Sequence, residues 1–251
     1  SRQIDLLRHE SVHYSNALAE IFGLIEGTGA LTVEATNPSL RPDIRVSSRT
    51  FTDGTDGSYG QSVPDTGDYL PAVTYLTGLS STDSFRTNVG LVNRSQSPVA
   101  IALELHDAAG TLLSTASVAL NGDSFQQTSL AALFPGAHAD GLQRMSLRME
   151  APASGAVEAY ASVIDNRSQD PVFIAARPAD ASSPIIVPAV AHVSGAQGTF
   201  WKSDITLSNP TSVPMTVSVA LLEDPTRPER TIDIAPLMSV AIDDVVTWLG
   251  A

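Results

Sequence analysis

The chain has 251 residues, 43% of them hydrophobic and 16% charged, with no cysteine and a formal net charge of −13. This is enough apolar material for a core in one or two domains, and it excludes disulfides, thiolate catalysis and cysteine metal sites while leaving the redox compartment undetermined. The acidic balance, with Lys202 the single lysine, sets like charge against nucleic-acid phosphate and anionic lipid, and no apolar run reaches the roughly 18 residues needed to cross a bilayer, so neither nucleic-acid binding nor membrane insertion is expected.

The first predicted elements lie in "IDLLRHESVHYSNALAEIFG" from Ile4: an alternating strand, a polar turn, a Ser or Thr helix cap and a short apolar helical turn carrying Leu18, Ile21 and Phe22. The stretch contains His9-Glu10-x-x-His13, the zinc-peptidase signature, in which two histidines on one helix face bind the metal and the glutamate is general base. Here the motif straddles a strand and its turn, where histidines four apart diverge, and no third ligand is evident downstream. Three further strands are expected in "GALTVEA", "DIRVSSRTF" and "SYGQSVP", the last two joined through "DGTDG" at Asp53. No basic-then-apolar leader opens the sequence, which is expected of a soluble chain or one already processed and does not exclude secretion.

The next stretch supplies "PAV", "TNVGLVN", "VAIALELHD" and "LSTASVAL", then the turn and helix of "NGDSFQQTSLAALF", then "LQRMSLRMEA", "GAVEAYASVID" and "PVFIAARP", with "NRSQD" at Asn166 closing the last pair. Gly, Asn and Asp in such loops tolerate positive φ and close hairpins. About seven short strands with turn clusters at regular intervals and one short helix indicate an all-β sandwich of immunoglobulin-like strand count.

The remainder repeats what precedes it. Pro71-Ala72-Val73 recurs as Pro188-Ala189-Val190, Phe85, Asn93 and Pro98 recur as Trp201, Asn209 and Pro214, and Ile101, Leu103 and Leu105 as Val217, Val219 and Leu221. Ile4, Ser11, Val12 and Leu18 recur as Ile232, Ser239, Val240 and Val246. Three copies of the turn-and-helix segment therefore exist and can be polled. His9, Glu10 and His13 align with Leu237, Met238 and Ala241, and with Gly122, Asp123 and Gln126 in the middle copy. No copy repeats the zinc chemistry, so the motif is expected to be a chance match.

"FWKSDITLSNPTSVPMTVSVALL", "SRTFTDGTDGSYGQSVP" and "AYASVIDNRSQDPVFIAARP" resemble a tandem immunoglobulin-like β-sandwich repeat of large secreted or surface bacterial proteins with no assigned chemistry. The resemblance covers nearly the whole chain and implies an extracellular scaffold role without catalytic residues to transfer. It also implies a frame in which one unit runs from the "PAV" strand to the "ARP" strand. Residues 1–67 are then the C-terminal half of a repeat, 68–181 a complete repeat and 182–251 the N-terminal half of another. A shifted frame, with complete domains at 24–135 and 141–251, is the rival.

The remaining motifs are weighed against structural roles. Asp53 and Asp56 could hold calcium, but Asp and Gly also serve a hairpin turn, which is the preferred reading. Asn93-Arg94-Ser95 and Asn166-Arg167-Ser168 match the glycosylation sequon, which bears on function only in a eukaryotic host, and both positions suit an Asn that bonds local backbone; Asn209 is followed by proline and is excluded. Trp201 and Trp248 are expected to pack in a core or between domains rather than stack a ligand. His106, His138 and His192 join no acid or serine constellation that recurs between copies. The Gly122-Asp123-Ser124 stretch lacks a hydrolase elbow. We therefore expect no catalytic, metal or cofactor site and no enzyme. The expectation is a secreted or cell-surface structural module, a spacer, stalk or filament subunit, that associates head-to-tail with copies of itself or abuts neighbouring repeats. The alternative is an adhesion module binding a surface glycan or protein.

Overall fold

Alternation of apolar and polar residues decides the central strands. In the computed structural model, residues 2–36, 44–55, 57–64, 70–137, 140–179, 184–222 and 229–250 are described, and the chain divides into two units, 1–41 and 42–251. The expected boundaries at 67/68 and 181/182 lie outside the described residues.

Among the described residues of the first unit only α1 (Ala17–Phe22) is regular. Asn16 caps it, its side chain accepting from the Ala19 N–H at 3.1 Å while Glu20 Oε1 accepts from the Asn16 N–H at 2.7 Å, so two donors a helix start leaves unpaired are met reciprocally. Gly23 ends the helix at φ 71, a left-handed position that costs glycine little. No helix residue is buried, and "GALTVEA" belongs to no strand.

The second unit opens with a hairpin, β1 (Arg49–Gly54) and β2 (Gly57–Ser62), which pairs Gly54 with Gly57 across a two-residue loop. Its core is a pair of four-stranded antiparallel sheets built from β3 (Val73–Ser81), β4 (Phe85–Asn93), β5 (Val99–His106), β6 (Leu112–Leu120), β7 (Ser124–Ser129), β8 (Leu142–Glu150), β9 (Val157–Asp165) and β10 (Pro171–Ala175). One sheet has the order β3-β8-β5-β6 and the other β10-β9-β4-β7. That is one strand more than the sequence suggests. β7, "SFQQTS", has no buried residue and so carries no hydrophobic period; it is a strand because its backbone pairs with β4 from Asn93↔Ser124 to Asn88↔Ser129.

The inner faces follow the period of two. Ile101, Leu103 and Leu105 of β5, Met145, Leu147 and Met149 of β8, and Val89 and Leu91 of β4 are all at most 3% exposed and share one cluster with Leu76, Leu79, Val118, Leu120 and Ala161. Burying each large aliphatic side chain stabilises by roughly 1.5–3 kcal/mol. α2 (Leu130–Leu133) plugs one end with Leu130 and is capped by Ser129, whose hydroxyl accepts from the Ala132 N–H at 3.1 Å. Gly78, at φ 76, sits in a register shift of β3 between Thr77 and Leu79. Beside it the buried Thr87 hydroxyl donates to the Ser80 carbonyl at 2.7 Å and accepts from the Ser80 N–H at 3.0 Å, tying the two sheets together.

Beyond the sandwich come β11 (His192–Ser194), β12 (Phe200–Lys202), β13 (Ile205–Ser208), β14 (Met215–Val219), β15 (Arg230–Ile234), β16 (Ser239–Ile242) and α3 (Val245–Leu249). They pair only as β11-β12, β13-β16 and β14-β15 among the described residues, over a small cluster of Ile242, Val245 and Leu249. The turn at Pro236-Leu237 rests against Gly110, and the Ser239 N–H donates to the Ala108 carbonyl at 2.9 Å. No described helix is long and apolar enough to cross a membrane.

Candidate functional site

The zinc signature lies on a turn. His9 has φ 63, the Leu7 N–H donates to Glu10 Oε2 at 2.6 Å, and the Glu10 N–H returns to the Leu7 carbonyl at 3.0 Å. The helix begins only at Ala17, so His9 and His13 share no helical face, and no cluster of three metal-ligating side chains exists among the described residues. The turn aligns the copies more accurately than sequence did: His9, Asp123 and Leu237 all have positive φ, at 63, 48 and 60. His9 thus corresponds to Asp123, one residue on from Gly122. The cap is the expected Ser only in the middle copy, Ser129; Asn16 and Asp244 take the role in the other two.

Asn93 and Asn209 make the same set of bonds. Asn93 is 1% exposed; its amide donates to the carbonyls of Ser97 at 2.9 Å and Asn121 at 2.7 Å, and its oxygen accepts from the Ser95 N–H at 2.9 Å and hydroxyl at 2.8 Å. Asn209, also 1% exposed, donates to Val213 at 2.7 Å, Ile234 at 3.1 Å and Ala235 at 3.2 Å, and accepts from the Thr211 N–H at 3.0 Å and hydroxyl at 2.7 Å. Each side chain knots a strand end to the next turn and to the end of the second strand on, β6 for Asn93 and β15 for Asn209. The sequon at Asn93 is therefore inaccessible in the folded chain. At Asn166 the side chain is held between the Asp83 carbonyl at 3.1 Å and Arg86 at 2.7 Å.

The other candidates scatter. Asp53 faces Ser58 in the β1-β2 hairpin, and Asp56 and His138 lie outside the described residues. Gly122 packs against the Gln96 carbonyl, and Ser124 spends its hydroxyl on the Asn121 carbonyl at 2.7 Å, so the Gly122-Asp123-Ser124 stretch is a turn. His106 is 6% exposed in a crevice with Tyr75, Ser146, Asn209 and Leu237; burial pushes its imidazole below the ordinary histidine range, against the opposing pull of Glu104 and Asp107.

His192 does meet partners that sequence spacing could not reveal. Its Nδ1 lies 2.7 Å from Asp244 Oδ2 and 3.1 Å from the Thr247 hydroxyl, which donates to the same carboxylate at 2.9 Å. Desolvation raises the Asp244 carboxyl, but bonds from Thr247 and His192 outweigh it and hold the group below the usual aspartate range. Because Asp244 also caps α3, this cluster fastens β11 to the helix. Trp248 packs within the C-terminal cluster, as expected, with the Arg230 guanidinium 5.4 Å above its ring. Trp201 does not: it is 62% exposed beside Phe200 at 55% and Val193 at 56%.

The largest feature is a contrast between positions that the sequence repeat aligns. Val89, Leu91, Ile101, Leu103 and Leu105 are sealed in the sandwich, whereas Ile205, Leu207, Val217, Val219 and Leu221 are only half-buried. Leu31 and Val33, which match Leu147 and Met149 by "VEA" and "MEA", are 52% and 55% exposed against 0% and 3%. Among the described residues β4 is flanked by β7 and β9 while β13 has β16 alone, and β5 is flanked by β6 and β8 while β14 has β15 alone. The open edges and faces are those that β8 and β9 cover in the sandwich. Comparison with known proteins finds no matching protein-family model, no matching curated protein and no matching solved structure.

Proposed function

We propose that the chain is a non-enzymatic structural module made of tandem immunoglobulin-like β-sandwich repeats, acting as an extracellular spacer, stalk or filament element. The strand order supports the immunoglobulin-like part. Constant-type domains run A-B-E-D in one sheet and C-F-G in the other, and assigning β3, β4, β5, β8, β9 and β10 to B, C, D, E, F and G reproduces B-E-D and C-F-G, with no strand at the A position among the described residues. β6 and β7 then form an insertion between D and E. The recurrent Asn knots and positive-φ turns support the tandem part.

The observation that carries the function is the contrast in burial just described. An isolated domain has no use for apolar faces and free strand edges, which are an aggregation hazard; a module continued by like modules requires them. The acidic surface keeps such an array soluble and self-repelling. Antibody labelling of intact source cells tests the location, and labelling only after lysis overturns it. Turnover of a hydrolase substrate, or stoichiometric zinc lost on His9→Ala, overturns the non-enzymatic reading.

One observation favours a second reading, a glycan- or protein-binding module. Val193 and Trp201 pair, both exposed, on one face of the β11-β12 hairpin, while Phe200 is exposed on its other face, edge-on to His192; exposed aromatic anchors of this kind suit a recognition surface. Saturable binding on a glycan array, lost with Trp201→Ala, would select it.

A further inference from the structure

We infer that the contact between the central sandwich and the strands that follow it is a joint that loosens on acidification, with the buried imidazole of His106 as its proton switch. The joint has two parts. At the rim, the 107–111 turn between β5 and β6 receives the 235–239 turn between β15 and β16. The Ser239 N–H donates to the Ala108 carbonyl at 2.9 Å, and a Cβ on Gly110, which has φ 84, would sit 2.9 Å from the Pro236 carbonyl oxygen. Any side chain at 110 would push the two turns apart. Beneath the rim, β13 lies beside β3 and β16 beside β8. There His106, at the end of β5, is closed in by Ser208, Asn209, Pro210 and Leu237 from the following strands and by Tyr75 and Ser146 from the sandwich.

This seat suits a neutral ring. His106 is 6% exposed and its ring makes no hydrogen bond among the described residues; the crevice beside it has a volume of about 10 Å³, room for a single water. The groups that the following strands bring to it carry no charge, and the Asn209 amide and oxygen are both engaged in their own turn. The charged and titratable groups around the ring all belong to the sandwich: Tyr75 on β3, Glu104 on β5, Asp107 just beyond it and Arg148 on β8. Arg148 holds Glu104 at 3.4 Å, and Asp107 Oδ1 accepts from the Ala109 and Thr111 N–H groups at 2.9 Å and 2.8 Å, so neither carboxylate bonds the imidazole.

Parting the joint removes the uncharged cover of Asn209, Pro210 and Leu237 and leaves Glu104 and Asp107 where they are. Burial, which disfavours the imidazolium, is relieved, while the attraction of the two carboxylates, which favours it, is kept. The parted ring therefore takes a proton more readily than the seated one, in keeping with the downward shift that burial imposes on His106 in the folded chain. A pKa depressed in the seated state contributes stability that is complete above the parted state's pKa. It is lost as pH falls from that value to the seated one, with opening increasing by up to about tenfold per pH unit in that interval. The chain is stiff at this joint near neutrality and articulated in mild acid.

Amide hydrogen exchange of the full-length chain, resolved residue by residue by NMR, reads the joint through the Ser239 N–H, whose acceptor lies across it. Each rate is divided by the unprotected rate at the same pH, and amides at the centre of β4, flanked by β7 and β9, report the sandwich itself. Between about pH 7.5 and about pH 5, either side of the ordinary histidine value of about 6.5, Ser239 protection is expected to fall several-fold while that of β4 holds. His106→Gln, which cannot take up the proton, is expected to flatten the Ser239 profile, and His106→Phe serves the same comparison where the amide disturbs packing. Asp243→Asn, which removes the exposed ion pair from Arg144 across the joint at 3.6 Å, is expected to keep the wild-type slope. A flat Ser239 profile in the wild-type chain, or one that falls equally without His106, overturns the inference. So does protection at Ser239 that moves in step with β4, which would place the effect in the sandwich, or a slope lost in Asp243→Asn, which would assign the proton to the rim.

Discussion

Replacing Asn93 with alanine removes one small side chain and tests the knot on which the turn after β4 depends. The wild-type amide makes four bonds of ordinary length, two given to the Ser97 and Asn121 carbonyls and two taken from Ser95. At about 1 kcal/mol net per bond the sum is about 4 kcal/mol. Ser95 and Ser97 lie toward the rim, so water recovers part of this, and the expected loss is about 2–3 kcal/mol. Urea unfolding followed by fluorescence should show a lower midpoint at unchanged slope, the mark of altered stability with unaltered surface exposure on unfolding. Asn93→Asp preserves shape and both acceptor bonds but sets a second oxygen against carbonyl oxygens, so it should destabilise more than alanine. A loss below about 0.5 kcal/mol for Asn93→Ala, or Asn93→Asp behaving like wild type, would refute the reasoning, because exposed turn polar groups are worth no more than that.

Gly90 faces Tyr160 across β4 and β9, and a methyl there would overlap the Tyr160 ring, which stacks on Phe173 at 5.3 Å and donates to Gln127 at 2.7 Å. Gly90→Ala should therefore cost about 1–3 kcal/mol and reduce the near-UV aromatic signal; an unchanged spectrum would show that the ring yields freely. Backbone N–H bonds from Ser168 and Arg167 hold the Asp165 carboxyl below its ordinary value of 3.8. A depressed folded pKa contributes stability that is complete above the unfolded value and fades as pH falls through the folded one, so the advantage of wild type over Asp165→Asn should be constant above about pH 3.8 and shrink below it. A difference that grew on acidification would reverse that sign. His9→Ala and His13→Ala alter exposed side chains and should each change stability by less than about 0.5 kcal/mol, as thermal unfolding with and without added zinc would show.

Much of the architecture is written locally. Ile101, Leu103 and Leu105 alternate with polar neighbours, and that alone makes β5 a half-buried strand; the polar loops at Asn166 and Asp53 announce their hairpins through residues that tolerate turn geometry. The internal repeat was also readable, since self-similarity needs no structure. Three things needed the tertiary structure. β7 has no apolar period, and only the free edge of β4 makes it a strand. His192 and Asp244 are far apart in sequence, and their contact exists because α3 starts where β11 passes. Residues 29–35 carry the same alternation as β8 yet form no strand, because backbone pairing is a property of two edges and one segment encodes only its own. Sequence determines which faces want to be buried; the presence or absence of a partner edge decides which of them are.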